Sequence, residues 1–246
     1  FVAGMGVISA IGNNVAANLD ALENGRAGMA GMVYLDSVHR NKLPVAEVKL
    51  SNEELSKLSG LPADKSRTAL LSMIAAKEAL AQAAIENISV LRTGFISANS
   101  VGGMDKTENF FAEFFKDNSK GKLRNVVHHE CGSVIELVAD GLGIKNYIST
   151  ISTACSSSAN AIFFGARLIK NNLLDVVVAG GTDSLTRFTL NGFNTLMILD
   201  DQFCQPFDEN RRGLNLGEGA GYVVLVSEKV AATLKKNPDI ILSGYC

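Results

Sequence analysis

The stretch "STACSSSANAI" (residues 152–162) places one cysteine, Cys155, between a β-branched run and a series of small and hydroxylated residues. A thiol attacks carbonyls once it is ionised, and the first turn of a helix favours that ionisation. Unpaired backbone N–H groups and the positive end of the helix dipole stabilise a negative sulfur there, drawing the thiol from about 8.5 towards neutrality. The same N–H groups can hold the oxyanion that develops on an attacked carbonyl. Ala154, Ser156, Ser157, Ser158 and Ala159 leave room for a substrate or a neighbouring helix. A strand that turns sharply into a helix at a nucleophile is a recurring device of acyl transfer. Free cysteine is also a common small hydrophobe of protein cores, and local physics leaves both roles open for Cys155. Cys131, Cys204 and Cys246 lack such surroundings and read as core residues. None of the four forms a CxxC-type metal pair.

The elements that must position Cys155 follow from hydrophobic periodicity. "YISTIST" (147–153) reads as the strand that delivers it, and a helix follows to about Asn171. "FVAGMGVIS" (1–9), "TGFISAN" (93–99), "DVVVAGG" (175–181), "GAGYVVLVS" (219–227) and "DIILSGY" (239–245) read as further strands. Asn13 or Asn14 caps a helix through Glu23, closed by Gly25, and residues 26–62 read as irregular. An amphipathic helix is expected over Asp64–Glu86, with Leu70, Met73, Ile74, Leu80 and Ala84 on one stripe. Others are expected in the Phe-rich segment around Phe110–Phe115, over His128–Asp140, and briefly from Glu228. Apolar strands alternating with helices point to an α/β fold with a mostly parallel sheet covered on both faces.

The totals exclude several function classes. A net charge of −2 over 246 residues gives no bulk electrostatic case for binding nucleic acid or an anionic membrane surface. Apolar stretches are interrupted well short of the ~18 residues that a membrane span needs, for example by Lys77. Four unclustered cysteines in a chain of this size fit a reducing, cytoplasmic home. The sequence opens at Phe1 inside an expected strand and stops in "IILSGYC", so both ends read as cut.

Five segments in order, "VAGMGVISAIGNN", "TACSSSANAI", "DVVVAGGTDSL", "GFNTLMIL" and "CQPFDENRRGLNLGEGAGYVVL", together resemble the N-terminal half of β-ketoacyl-[acyl-carrier-protein] synthases. The similarity is to the type II fatty-acid condensing enzymes and the related polyketide ketosynthases. It implies an α/β, thiolase-like N-terminal half, a five-stranded mixed sheet flanked by helices, with residues 1–246 as one domain. Cys155 would be the nucleophile, taking an acyl group from carrier-protein phosphopantetheine, with its own backbone N–H as half of the oxyanion hole. A malonyl thioester would then lose carbon dioxide and the resulting carbanion would take the acyl group.

The resemblance further implies that Val101 and Phe193 line the acyl pocket, with plain core packing as the bland reading of each. A valine at 101 would leave the tunnel open to medium or long chains. It implies no cofactor or metal, an acyl carrier protein as partner, and a homodimer joined partly through "YISTIST". The two histidines and the lysine that family members use for decarboxylation belong to their C-terminal half. His39, His128 and His129 match none of these positions, so the 246 residues alone are expected to be inactive. Asp208, Arg211, Arg212 and Glu218 are read as a surface turn with its ion pairs, leading into a strand.

Three rival readings accompany this one. A polyketide or aryl-polyene ketosynthase would share the chemistry on another chain. A non-catalytic chain-length partner subunit usually lacks the cysteine. An unrelated acyl hydrolase would need a histidine close to Cys155.

Overall fold

The computed structural model of the protein describes residues 1–235 and 238–244. Its centre is a five-stranded sheet in the order β1-β5-β4-β2-β3, formed by β1 (Val2–Ser9), β2 (Thr93–Ala98), β3 (Tyr147–Ile151), β4 (Val176–Asp183) and β5 (Gly219–Val226). β2 runs parallel to both β3 and β4, whereas β5 runs antiparallel to β4 and to β1. The sheet is therefore mixed, which corrects the mostly parallel arrangement read from alternation. β5 follows β4 through a long connection without a covering crossover of the βαβ type, and so returns antiparallel.

Helices α1 (Val15–Glu23), α2 (Asn52–Ser59), α3 (Arg67–Ala83), α4 (Met104–Phe114), α5 (Cys131–Leu142), α6 (Ser157–Lys170), α7 (Arg187–Thr195) and α8 (Glu228–Ala231) surround it. Alternation along the strands divides the core. Phe95, Val176, Val178, Tyr222 and Val224 face α3 and α5, while Ile96, Ala98, Val177, Ala179 and Leu225 face α6. Sandwiched between sheet and neighbouring helices, α3 is buried on more than one stripe. Ile74 and Leu80 are half-buried, and Ala84 is an exposed left-handed C-cap rather than part of the stripe.

The contact of α3 with β1 depends on two glycines. A Cβ on Gly6 would lie 2.1 Å from the Ala75 carbonyl oxygen, and one on Gly4 would lie 2.3 Å from that of Ala79. At this close approach α3 also covers the outer edge of β1. Gln82 accepts from the Met5 N–H (2.6 Å), and Glu78 accepts from the N–H groups of Val7 (2.9 Å) and Val15 (2.8 Å). At the opposite edge, among the described residues, β3 pairs with β2 alone.

Several expectations need correction. Residues 26–62 contain α2, which carries a Ser51–Glu54 capping box and ends at left-handed Gly60. α7 lies outside every helix expected from periodicity. α5 starts at Cys131, so His128 and His129 lie in the turn before it. "DIILSGY" is no strand over its described residues 239–244, where Ile240 makes an isolated bridge to Val2; Tyr245 lies outside the described residues. No described helix is long and apolar enough to cross a membrane.

Candidate active site

β3 ends at Ile151, and the chain turns through Ser152 and Thr153 into a tight helical turn, Ala154–Ser156, that leads directly into α6. Cys155 is the middle residue of that turn, exposed, and one residue ahead of the α6 N-cap, Ser156. Ala154 is held at φ +54°, left-handed for a residue with a Cβ, at a cost of about 1–2 kcal/mol.

The neighbouring hydroxyls hold the turn in that shape. Ser157 Oγ accepts from the Thr153 N–H (2.7 Å) and donates to the Ala154 carbonyl (2.6 Å). Ser156 Oγ donates to the Thr153 carbonyl (2.9 Å), and Asn160 donates to Thr153 Oγ1 (2.9 Å). The serines after Cys155 are thus more than small residues: they satisfy backbone groups that a sharp turn would otherwise leave without partners. Among the described residues none of these groups hydrogen-bonds the Cys155 sulfur.

α6 comes close to the sheet over Gly181, where a Cβ would lie 2.2 Å from Ser158 Oγ. The result is a cavity of about 410 Å³ lined by Cys155, Ser158, Asn99, Asp183, Gly181 and Gly219, among others. Cys155 and Asn99 follow the C-terminal ends of β3 and β2, and Asp183 is the last residue of β4, so all three lie at the end of an α/β sheet at which ligands bind. Asp183 closes β4, and its Oδ1 accepts from the N–H groups of Ser100 (2.7 Å) and Val101 (3.1 Å). Burial pushes its carboxyl up, against the pull of those two N–H groups. Asn99 accepts from the Gly102 N–H (3.0 Å) and donates to the Cys131 carbonyl (3.2 Å). Sequence reasoning singled out neither Asn99 nor Asp183, because each becomes notable only once β2 and β4 lie side by side.

The other anticipated residues are scattered. Val101 is half-buried on the turn after β2, and Phe193 is half-buried on α7; neither lines the Cys155 cavity. Glu108 on α4 ties α7 in place, pairing with Arg187 (3.1 Å) and accepting from the Phe188 N–H. Cys131 and Cys204 are half-buried free thiols rather than full core residues, and Cys246 lies outside the described residues. Burial and the nearby Asp183 carboxylate push the Cys131 thiol up. His39 contacts Asn191 (3.1 Å), His129 contacts Thr107 (3.0 Å), and burial together with Lys65 pulls His128 down. None of the three histidines lines the cavity.

Arg212 pairs with Asp201 (2.8 Å) and Arg211 donates to the Asp208 carbonyl (2.8 Å), as expected for a surface turn. Glu218 does not belong with them. It forms a buried pair with Arg67 (2.7 Å) and also accepts from the N–H groups of Val48 (2.9 Å) and Leu185 (3.0 Å).

Residues 1–231 match the family model of the β-ketoacyl synthase N-terminal domain. Nodulation protein E of Rhizobium meliloti (strain 1021) is 28% identical over 231 residues, 92% of this chain and 57% of the relative. 3-Oxoacyl-[acyl-carrier-protein] synthase 2 of Staphylococcus aureus (strain N315) is 27% identical over 259 aligned residues, 99% of this chain and 61% of the relative. Among solved structures, a ketosynthase in complex with its chain length factor from Xenorhabdus doucetiae matches with TM-score 0.76 at 28% identity, over 93% of this chain and 58% of that one. The ishigamide ketosynthase/chain length factor gives TM-score 0.87 at 24% identity over 94% and 59%, a likeness of fold. The sheet and its helices are accordingly thiolase-like. The chain spans about three fifths of the length of these curated relatives, as the 57% and 61% coverages state. By the match over residues 1–231, the chain belongs to the β-ketoacyl synthase family, whose N-terminal domain it carries.

Proposed function

We propose that this chain carries the nucleophile of a β-ketoacyl-[acyl-carrier-protein] synthase of cytoplasmic fatty-acid synthesis, and that the nucleophile is Cys155. The observation that supports it most is an exposed cysteine on a strained turn directly before α6, facing a cavity at the C-terminal ends of the parallel strands, in a chain of this family. In the proposed first step the Cys155 thiolate attacks the carbonyl of an acyl thioester delivered by a carrier protein. A new carbon–sulfur bond forms, the pantetheine thiolate leaves, and the backbone N–H of Cys155 helps to hold the intervening oxyanion. In the second step a malonyl thioester loses carbon dioxide, its carbanion attacks the acyl carbonyl, and the Cys155 thiolate is released. Val101 and Phe193 are proposed to border the acyl chain.

The second step needs donors that stabilise an enolate in a water-free site, and no histidine of this chain lines the cavity. The 246 residues are therefore expected to accept an acyl group without condensing it. The test is to incubate the protein with an acyl-loaded carrier protein and then digest it for peptide mass mapping. The acyl group should appear on Cys155 and vanish in Cys155→Ala; a stable adduct elsewhere, or none, contradicts the assignment. The proposed assembly is a homodimer that uses the edge strand β3.

A further inference from the structure

We propose that Ser157 is a positioning residue whose hydroxyl aims the oxyanion donor of the site, the Cys155 backbone N–H. This rests on the reading of Cys155 as the acyl acceptor. Ser157 opens α6, is buried, and lines the same cavity as Cys155. Its hydroxyl bonds in both senses, accepting from the Thr153 N–H (2.7 Å) and donating to the Ala154 carbonyl (2.6 Å). The Ser157 N–H donates to that carbonyl as well, within the turn.

The Ala154 carbonyl is the other end of the peptide unit that carries the Cys155 N–H. A trans peptide is planar, with its C=O and N–H pointing opposite ways, so a bond that fixes the oxygen also fixes the direction of the N–H. A donor on the oxygen further polarises the unit and strengthens its N–H. The backbone needs such a hold, because Ala154 sits at φ +54° and strained conformations persist only where their surroundings impose them. Ser156 and Asn160 grip Thr153, the residue before the strained one. Among the described residues, only Ser157 bonds the Ala154 carbonyl through a side chain.

Two reagents report separately on the sulfur and on the N–H. When the Cys155 thiolate attacks an acyl thioester, a carbon–sulfur bond forms as the carbonyl electron pair moves onto oxygen. Collapse of that oxyanion expels the coenzyme A thiolate, and the N–H must point at the oxygen in between. Iodoacetamide is attacked at a saturated carbon, iodide leaves, and no oxyanion forms. Ser157→Ala takes the acceptor from the Thr153 N–H and one of two donors from the Ala154 carbonyl, while the sulfur stays exposed.

Acylation of Cys155 by decanoyl-coenzyme A and alkylation by iodoacetamide are each followed by peptide mass mapping. In Ser157→Ala we expect the saturating acylation rate to fall at least about tenfold, with the half-saturating concentration and the alkylation rate within about twofold of the parent. Ser157→Thr keeps a hydroxyl and should restore acylation to within about threefold. A purely structural role would lower the melting temperature and leave the ratio of acylation to alkylation unchanged. An unchanged ratio in folded Ser157→Ala, or an equal fall in Ser157→Thr, overturns the role of Ser157. Should Ser157→Ala not fold, Ala154→Gly decides. Glycine accepts the left-handed backbone without strain, so with the Ser157 hydroxyl in place the ratio should hold, and a tenfold fall would show that the Ala154 side chain aims the peptide instead. Failure of the parent to take up the acyl group, while iodoacetamide still modifies Cys155, overturns the underlying reading of the nucleophile and the role of Ser157 with it.

Discussion

Exposed on a tight turn, Cys155 buries little surface, so removing its sulfur separates chemistry from stability. Cys155→Ala is expected to change unfolding free energy by no more than about 0.5 kcal/mol while abolishing acyl transfer. A chemical denaturation curve beside the acylation assay checks both halves of that statement. Tyr222 offers the opposite case, a polar group at the centre of the core. Its hydroxyl is shared with Ser72 (2.7 Å) and Ser97 (2.5 Å), and burial pushes its ionisation up to about 12. Because an unfolded tyrosine ionises near 10, this stabilisation is intact below about pH 10 and lost as pH rises towards about 12. Urea midpoints should fall across that window, and fall less in Tyr222→Phe. Cys155 was legible in the sequence because its setting is local: a β-branched run before it and small helix-starting residues after it. Asp183 and Asn99 were not, since their partners stand up to 83 positions away along the chain.

The α3–β1 contact shows how closely sequence detail fixes the placement of an element. Gly6→Ala would put a methyl group 2.1 Å from a backbone oxygen of α3. Overpacking of that kind costs about 3 kcal/mol, readable as a lowered urea midpoint. Glycine within a strand permits close backbone approach, and the structure supplies the helix that approaches Gly4 and Gly6. α2 escapes hydrophobic periodicity although its capping box and terminal glycine stand in "SNEELSKLSG". Its eight residues give too few turns for hydrophobic periodicity to declare itself. Glu218 was misread for a different reason. A carboxylate between glycines reads as surface, and only the fold brings Arg67 to it from 151 positions away. Glu218→Ala would leave that guanidinium buried and unpaired, a loss of about 3–5 kcal/mol, again measurable by chemical denaturation.

At the scale of the whole molecule, the two edges of the sheet are unequal. β1 is closed by Glu78 and Gln82 of α3, whereas β3 is an edge strand that, among the described residues, pairs with β2 alone. Edge strands invite pairing, and the proposed homodimer predicts twice the chain mass by light scattering at micromolar concentration; a monomer would contradict it. The mixed strand order escaped sequence reading because apolar runs buried on both faces look alike in either direction. The family resemblance supplied it instead. The same sheet puts its most exposed thiol at the start of α6 and leaves the other two described thiols half-buried, with Cys131 pushed up besides. Competitive alkylation with limiting iodoacetamide near neutral pH, quantified cysteine by cysteine, tests that placement most directly. Cys155 should react at least about tenfold faster than Cys131 or Cys204. Equal or slower modification of Cys155 would contradict the account.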